Sequence, residues 1–165
     1  MYCEKIPDPI FLSDCDGDWE KYEDTIYQIF KSDMIDHRPT FNGKPVDIIH
    51  EKIYKNKERS FWHIISEGNG DFDRLPKMER CEKVGWVKPL ILDDGNCEHY
   101  KLWIRHHDQS KKNRYYIWCT DIQYMVILED RHSHYKLISA FNVMPYAVKK
   151  YQKEYEGYIK TKTPT

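Results

Sequence analysis

The sequence predicts an α+β fold: N-terminal helices packed on a four-stranded antiparallel meander sheet, with a C-terminal helix that closes the chain. Apolar residues recur at helical spacing between residues 19 and 34. After residue 100, four apolar segments alternate with short polar connections, which is the pattern of a meander. A segment rich in lysine and tyrosine then follows and indicates the closing helix.

The length of 165 residues is sufficient for one domain with a core of its own. We therefore expect a single domain over residues 1–165. Its parts are an acidic N-terminal arm and helix over 1–45, a central core over 46–145, and a C-terminal helix and tail over 146–165.

The first half of the chain predicts helices around one short strand. The spacing of Trp19, Tyr22, Ile26 and Phe30 predicts a helix from Trp19 to Met34. Three further elements are expected in this half: a short strand over 46–53, a short helix or buried strand over 61–66, and a helix over 76–92 that Pro89 kinks or ends early.

The second half predicts the sheet. The four strands are expected over residues 101–106, 114–120, 123–129 and 135–143. A final helix with few apolar anchors is expected over 146–160.

Charge is distributed unevenly along the chain, although the formal net charge is only −1. Residues 1–36 contain ten acidic and three basic residues, whereas the remainder contains 17 acidic and 23 basic residues. An acidic segment on a basic body predicts either intramolecular docking or a body that binds a polyanion. The overall pI of about 6.7 argues against a protein that simply coats DNA.

The five cysteines include no CxxC pair, so we expect free thiols in a reducing compartment and a cytoplasmic protein. No apolar run reaches membrane-spanning length, and no secretory signal is visible. Cys97, His99, His106 and His107 do not match the spacing of a zinc site. We expect neither a metal nor a cofactor.

Three residues are candidates for catalysis. His63 lies among large apolar residues and can accept and return a proton near neutral pH, or it can pack as a structural histidine. Arg80 can bind phosphate through its planar fork, or it can be a solvated helix residue. Ser139 lies in an apolar strand, where its hydroxyl can bond a phosphate oxygen or the local backbone.

Four further cations are candidates for substrate binding. Arg74 precedes the helix that carries Arg80, and Lys83 shares a face with Arg80 at a spacing of three. Lys112 and Arg114 enter a strand rich in aromatic residues, a combination that suits single-stranded nucleic acid whose bases stack. A solvated helix face and a charged hairpin tip are the alternative interpretations.

The order of these segments resembles the barnase/EndoU/colicin/RelE superfamily of ribonuclease toxins, found in bacteria and phages. The resemblance extends over residues 46–145 and rests on these stretches: Phe61–Ile65, Glu79–Cys81, Trp86–Ile91, Tyr116–Trp118, Val126–Glu129 and Tyr135–Phe141. It implies helices on a four-stranded antiparallel sheet, metal-independent RNA cleavage, and functional roles at His63, at Arg74 or Arg80, and at Ser139. The acidic segment 1–36 is not part of the superfamily pattern.

Two functions follow as hypotheses. In the first, the chain is a metal-independent endoribonuclease, a toxin or phage-defence effector that acts on RNA and is restrained by an antitoxin or immunity protein. In the second, it is a non-catalytic RNA-binding or protein-interaction module on the same fold. The enzyme requires His63, Arg80 and Ser139 to converge on one cleft, whereas the binding module does not.

Overall fold

The computed structural model describes residues 6–51, 53–68, 74–93 and 97–162. Within them the fold is α+β, with five α-helices and a curled mixed sheet of six strands. The helices are α1 (Trp19–Lys31), α2 (Arg59–Ile65), α3 (Met78–Cys81), α4 (Val87–Leu92) and α5 (Val148–Lys162). The strands are β1 (Thr40–Phe41), β2 (Lys44–Asp47), β3 (Ser66–Glu67), β4 (Leu75–Pro76), β5 (Tyr100–His107), β6 (Lys112–Cys119), β7 (Tyr124–Asp130) and β8 (Tyr135–Asn142).

The sheet has the strand order β1-β2-β8-β7-β6-β5. Strands β5 to β8 form the antiparallel meander that the alternating pattern predicts. The sheet nevertheless has six strands rather than four, because β2 pairs in parallel with β8 at Val46 and Tyr135. A tight turn at Asn42 and Gly43, both with positive φ, joins β1 to β2. β3 and β4 form a separate two-stranded ladder.

The acidic N-terminal segment docks on the body mainly through apolar contacts and hydrogen bonds. Asp18 caps α1 by accepting from the Lys21 amide at 3.2 Å. One face of the helix is fully buried, at Tyr22, Ile26 and Phe30. The indole of Trp86 donates to the Pro7 carbonyl oxygen at 2.8 Å, which fixes the segment that precedes the helix.

The single helix predicted over 76–92 is interrupted, which corrects that expectation. α3 ends at Cys81, a 3₁₀ turn spans Val84–Trp86, and α4 follows. The turn contains Gly85, where a Cβ atom would lie 3.5 Å from Pro7 Cγ, so the N-terminal segment passes close to the backbone here. Pro89 lies in the first turn of α4, where an amide needs no intrahelical partner, and it does not break the helix.

Two hydrophobic cores lie on the two faces of the sheet. The larger core contains buried residues of α1, α2 and α4 together with Ile117, Val126 and Leu128 of the strands. The smaller core contains Trp103 and Trp118, and the tyrosines of α5 pack against it. α5 therefore covers one face of the sheet and the other helices cover the opposite face.

A β-bulge in the β7–β8 pairing changes the expected alternation on β8. The register shifts between Ile127 and Leu128, because Ile127 is opposite Ser139 and Leu128 is opposite Leu137. Leu137 consequently packs into the larger core, whereas Phe141 packs against the smaller one. Simple alternation along the strand would place Leu137 and Phe141 on the same face, and the bulge places them on opposite faces.

The cysteines are not all free thiols. Cys15, Cys81 and Cys119 are free and buried, as expected. Cys97 is disulfide-bonded, which corrects the expectation of five free thiols, and Cys3 lies outside the described residues. The cysteine argument for a reducing compartment therefore applies only to the three buried thiols. Among the described helices, none has the length and apolar character needed to cross a membrane.

Candidate functional site

The guanidinium groups of Arg74 and Arg80 meet at the C-terminal end of α2. Arg80 Nη1 donates to the carbonyl oxygens of His63 and Ser66, at 3.2 and 3.0 Å. Arg74 Nη2 donates to the same two oxygens, and its Nε donates to Ser66 Oγ at 2.9 Å. These carbonyls have no intrahelical partner, because α2 ends there without a glycine cap and Ser66 is extended. The two arginines therefore act as the C-terminal cap of α2.

The imidazole of His63 lies on the half-buried side of α2 rather than in the core. Its Nε2 atom accepts a hydrogen bond from Arg59 Nε at 3.3 Å, one helical turn earlier. Its backbone oxygen is the atom that meets Arg80. The structure thus brings Arg80 to the His63 backbone and gives the His63 side chain a different arginine partner.

Ser139 is half-buried on β8 beside this cluster. Its hydroxyl makes no hydrogen bond within the part of the chain that the structure describes. Arg80 lies over the ring of Phe141, at 5.9 Å from its centroid, and so reaches the same strand two residues further on. Lys83 is turned elsewhere, with its ammonium 5.1 Å from the centroid of the Trp86 ring.

A second group of candidates lies at the opposite end of β7. Met125 is the residue of β7 that pairs with Phe141. Glu129 lies four positions after Met125, which corresponds to roughly 14 Å along a strand. An open cavity of about 420 Å³ lies at the Glu129 end. Arg114, a predicted substrate-binding residue, lines this cavity, and Lys112, another, pairs across the strands with the lining residue His107. This cavity, the sheet-end pocket, is lined by Arg105, His106, His107, Asp108, Gln109, Arg114 and Tyr116.

A row of charged side chains crosses the sheet beside this pocket. Strand pairing places them directly opposite one another on five strands, in the order Arg105, Arg114, Glu129, Lys136 and Asp47. The strand period of two places Arg105, Arg114 and Glu129 on the same face as the residues of the smaller core. His107 and Lys112 form the next cross-strand pair on that face, beyond the row.

Glu129 is the buried member of this row, with a side chain that is only 1 % exposed. One carboxylate oxygen accepts from Arg114 Nε at 2.9 Å and from Ser110 Oγ at 3.0 Å, and the other accepts from Arg131 Nε at 2.8 Å. Burial alone would raise the pKa of this carboxyl. The hydrogen bonds from Arg114, Ser110 and Arg131 outweigh burial and hold its pKa below the usual range, so Glu129 is ionised at neutral pH.

Tyr116 gives the pocket an aromatic wall. One side of its ring is stacked on the fully buried Trp103, with centroids 5.2 Å apart and an interplanar angle of 21°. Its two neighbours in the predicted aromatic strand are less available, since Tyr115 packs edge-on against Phe41 and Trp118 is buried. Tyr116 is the aromatic residue of β6 that lines the pocket.

The sequence did not identify Arg105, Ser110, Glu129 or Arg131 as functional residues. It suggested His107 only as a zinc ligand whose spacing did not fit. Each is ordinary in its own segment, and only strand pairing brings the five together. The one available signal was Glu129 itself, a carboxylate that ends the apolar run of β7. Arg105 is the most exposed of the cationic wall residues, and its Nη1 donates to Glu154 of α5 at 3.0 Å.

The described residues contain no group of three or more His, Cys, Asp or Glu side chains arranged to hold a metal ion. Asp47, at the far end of the charged row, also has a lowered pKa. Burial raises this pKa, but the combined effect of the Ile48 amide, His50, Lys136 and Arg38 lowers it by more than burial raises it.

Comparisons with protein-family models, with curated proteins and with solved structures found no match.

Proposed function

We propose that this chain is a metal-independent endoribonuclease whose site is the sheet-end pocket. The observation that supports the proposal best is that Arg105, Arg114 and His107 line one open cavity beside the buried, ionised Glu129. RNA cleavage without a metal requires a proton acceptor for the 2′-hydroxyl and fixed positive charge for the phosphate. The pocket contains both within one cross-strand neighbourhood.

The arginines supply the phosphate contacts. Arg114 is held from behind by Glu129 and Arg105 by Glu154, so each guanidinium has a fixed orientation and further N–H groups for an incoming anion. Lys112 stands across from His107 and adds a third positive charge. Two of the four predicted substrate-binding residues, Lys112 and Arg114, thus retain that role in the proposal.

His107 is the proton-transfer group of the proposed reaction. Its imidazole accepts the proton of the 2′-hydroxyl as that oxygen attacks phosphorus. A bond from phosphorus to the 2′-oxygen forms, the bond to the 5′-oxygen breaks, and the departing oxygen takes a proton from solvent. The product ends are a 2′,3′-cyclic phosphate and a 5′-hydroxyl. Tyr116 offers its ring to a neighbouring base, which favours single-stranded RNA as the substrate.

The proposed superfamily relationship is supported by the β5–β8 meander with helices packed against it. An arrangement like that of the barnase/EndoU/colicin/RelE group, a toxin or phage-defence role and an antitoxin or immunity partner all belong to this proposal. The α2 site of His63, Arg80 and Ser139 is the less favoured location, because Arg80 and the neighbouring Arg74 already cap α2.

A binding module without catalysis is the second candidate. It is favoured by the ion pairs that hold Arg105 and Arg114, since fixed cations and an aromatic wall suffice to bind RNA. The two candidates differ in what His107 does.

Cleavage of total RNA and of a labelled mixed-sequence oligonucleotide, both with EDTA present, tests the proposal. The wild type should cleave, and His107→Ala should lose at least about a hundredfold in rate while it still binds the oligonucleotide. His134→Ala is the matched control, since this histidine also contacts a serine through Nδ1 but does not line the pocket. Binding without cleavage by the wild type would favour the module. Loss of cleavage in His63→Ala but not in His107→Ala would return the site to α2.

A further inference from the structure

The turn between β5 and β6 links the histidine of the pocket to the buried glutamate. Ser110 Oγ lies 3.0 Å from His107 Nδ1 and 3.0 Å from Glu129 Oε2. The Ser110 backbone amide also lies 3.2 Å from His107 Nδ1. Ser110 thus contacts both His107, the proposed proton-transfer group, and Glu129, the carboxylate that orients Arg114.

The direction of these bonds follows from what each group can donate. An ionised carboxylate only accepts, so the single proton of Ser110 Oγ is donated to Glu129. The lone pairs of Oγ then face His107, and Nδ1 has to carry a proton to bond them. With its proton on Nδ1, a neutral imidazole leaves Nε2 bare. The backbone amide of Ser110 favours the opposite tautomer, because it can only donate to an unprotonated Nδ1.

We infer that Glu129 and Ser110 are positioning residues that hold neutral His107 with its proton on Nδ1, so that Nε2 is the basic atom presented to the pocket. A hydroxyl that donates to an ionised carboxylate becomes a stronger acceptor, because hydrogen bonds in a chain polarise one another, and this favours the oxygen contact over the amide contact. The use of Nε2 as a base for RNA rests on the proposed function, but the tautomer itself does not.

Glu129 cannot replace His107 as the base, since its side chain is 1 % exposed and both oxygens are occupied. Its effect on the pocket therefore passes through Ser110 and through the two arginines that it orients. The ionisable groups around His107 come from its own strand, the turn and the neighbouring strands, and they are Arg105, His106, Asp108, Lys112, Arg114, Glu129 and Arg131. Most of these are cations. The hydrogen-bonded chain from Glu129 through Ser110 to His107, called the relay below, places a negative charge on the Nδ1 side.

A second serine–histidine contact in the chain provides a matched control. Ser133 Oγ lies 2.9 Å from His134 Nδ1 in the β7–β8 connection. Within the described residues no carboxylate accepts from Ser133, so its hydroxyl is free to donate to the imidazole. The same pair of side chains is therefore present once with the buried glutamate behind it and once without.

The test is the ring ¹⁵N spectrum of the intact protein at a pH where the histidines are neutral, because ¹⁵N shifts distinguish a protonated ring nitrogen from a bare one. We expect His107 of the wild type to be protonated at Nδ1 and His134 to be protonated mainly at Nε2. Ser110→Ala should move the His107 proton to Nε2, since only the amide donor remains, whereas Ser110→Thr should keep it on Nδ1. Ser133→Ala should leave the His107 signals unchanged.

Kinetics on the labelled oligonucleotide distinguish this inference from the proposed function. Ser110→Ala should lower kcat by roughly tenfold to a hundredfold with little change in KM, and Ser110→Thr should restore most of the rate. A wild-type His107 protonated at Nε2 would overturn the relay even if RNA is cleaved. The expected tautomers in a protein that cleaves no RNA would support the relay and reject the ribonuclease. The wild-type spectrum decides the relay even if Ser110→Ala fails to fold.

Discussion

Removal of Arg80 discriminates a structural cap from a catalytic phosphate ligand. Arg80 is mostly buried, its Nη1 donates to two carbonyl oxygens, and its Nε lies 3.4 Å from Glu67. Arg80→Ala should therefore destabilise the protein and leave the cleavage rate of the folded fraction unchanged.

The magnitude follows from the arginine that remains. Hydrogen bonds from a charged donor contribute about 1.5–3 kcal/mol each, and an unsatisfied buried carbonyl costs about 1–3 kcal/mol. In Arg80→Ala both carbonyls still accept from Arg74, so we expect a loss of about 2 kcal/mol. For a chain of this size that corresponds to a decrease in Tm of about 4–8 °C. The double variant with Arg74→Ala removes both arginine donors from these carbonyls, and its loss of stability should exceed the sum of the single losses by about 1 kcal/mol or more.

These losses in the free energy of unfolding and in Tm can be measured by urea unfolding and thermal melts. The proteins compared are the wild type, both single variants and the double variant. Arg38→Ala is the control, because its exposed ion pair with Asp47 should contribute less than about 1 kcal/mol. Stabilities that simply add, or a hundredfold loss of cleavage in a fully folded Arg80→Ala, would refute the cap and favour the α2 site.

Two further predictions concern charge. The outer face of α5 exposes Lys149, Lys153 and Lys160, which make no ion pair within the described residues. The variant with all three replaced by Gln should bind single-stranded RNA more weakly. The slope of log affinity against log salt should become smaller by about 2. An equal slope in the triple variant would exclude α5 from the RNA path. The pKa of Glu129 is lowered in the folded state, so the unfolded state binds more protons in acid. The stabilisation that ionised Glu129 contributes is therefore present above the unfolded pKa of about 4.3 and is lost as the pH falls through the folded pKa. Urea unfolding between about pH 3 and 7 should show a smaller acid loss in Glu129→Gln than in the wild type, and identical pH profiles would contradict this prediction.

The sequence was informative where local pattern decides the structure. Strands β5 to β8 begin and end within two residues of the expected positions, because alternating β-branched and aromatic residues are a local signal. The break in the helix expected over 76–92 was not predictable in this way. It lies where Pro7 packs against Gly85, a contact between segments that are far apart in the sequence. The parallel addition of β2 to β8 depends on tertiary pairing in the same manner.

In the candidate site too, some residues could be recognised from the local sequence pattern, whereas others depend on tertiary pairing. Lys112 and Arg114 could be selected because a basic run next to aromatic residues is visible in the sequence. The partners of Arg114 could not be selected, since they depend on the register that sets Arg105 and Glu129 on either side of it. Arg74 and Arg80 were selected as phosphate ligands from the chemistry of the guanidinium group, from their place at the start of a predicted helix and from the family resemblance. Their bonds to the end of α2 depend on a missing helix cap, which could not be foreseen while residues 61–66 were expected to form either a short helix or a buried strand.

Glu129 is the residue whose presence the fold explains least. A buried carboxylate costs several kcal/mol in lost hydration, and replacing a buried ion pair by apolar residues of similar volume is often neutral or stabilising. Packing alone therefore does not require an acid at the end of the otherwise apolar β7. What an acid provides here is orientation, because it fixes Arg114, Arg131 and Ser110 at defined angles with three hydrogen bonds of 2.8–3.0 Å. Arg114 lines the pocket and Ser110 contacts His107, which also lines it, so the charge that is costly to bury is also the charge that orients these two pocket groups.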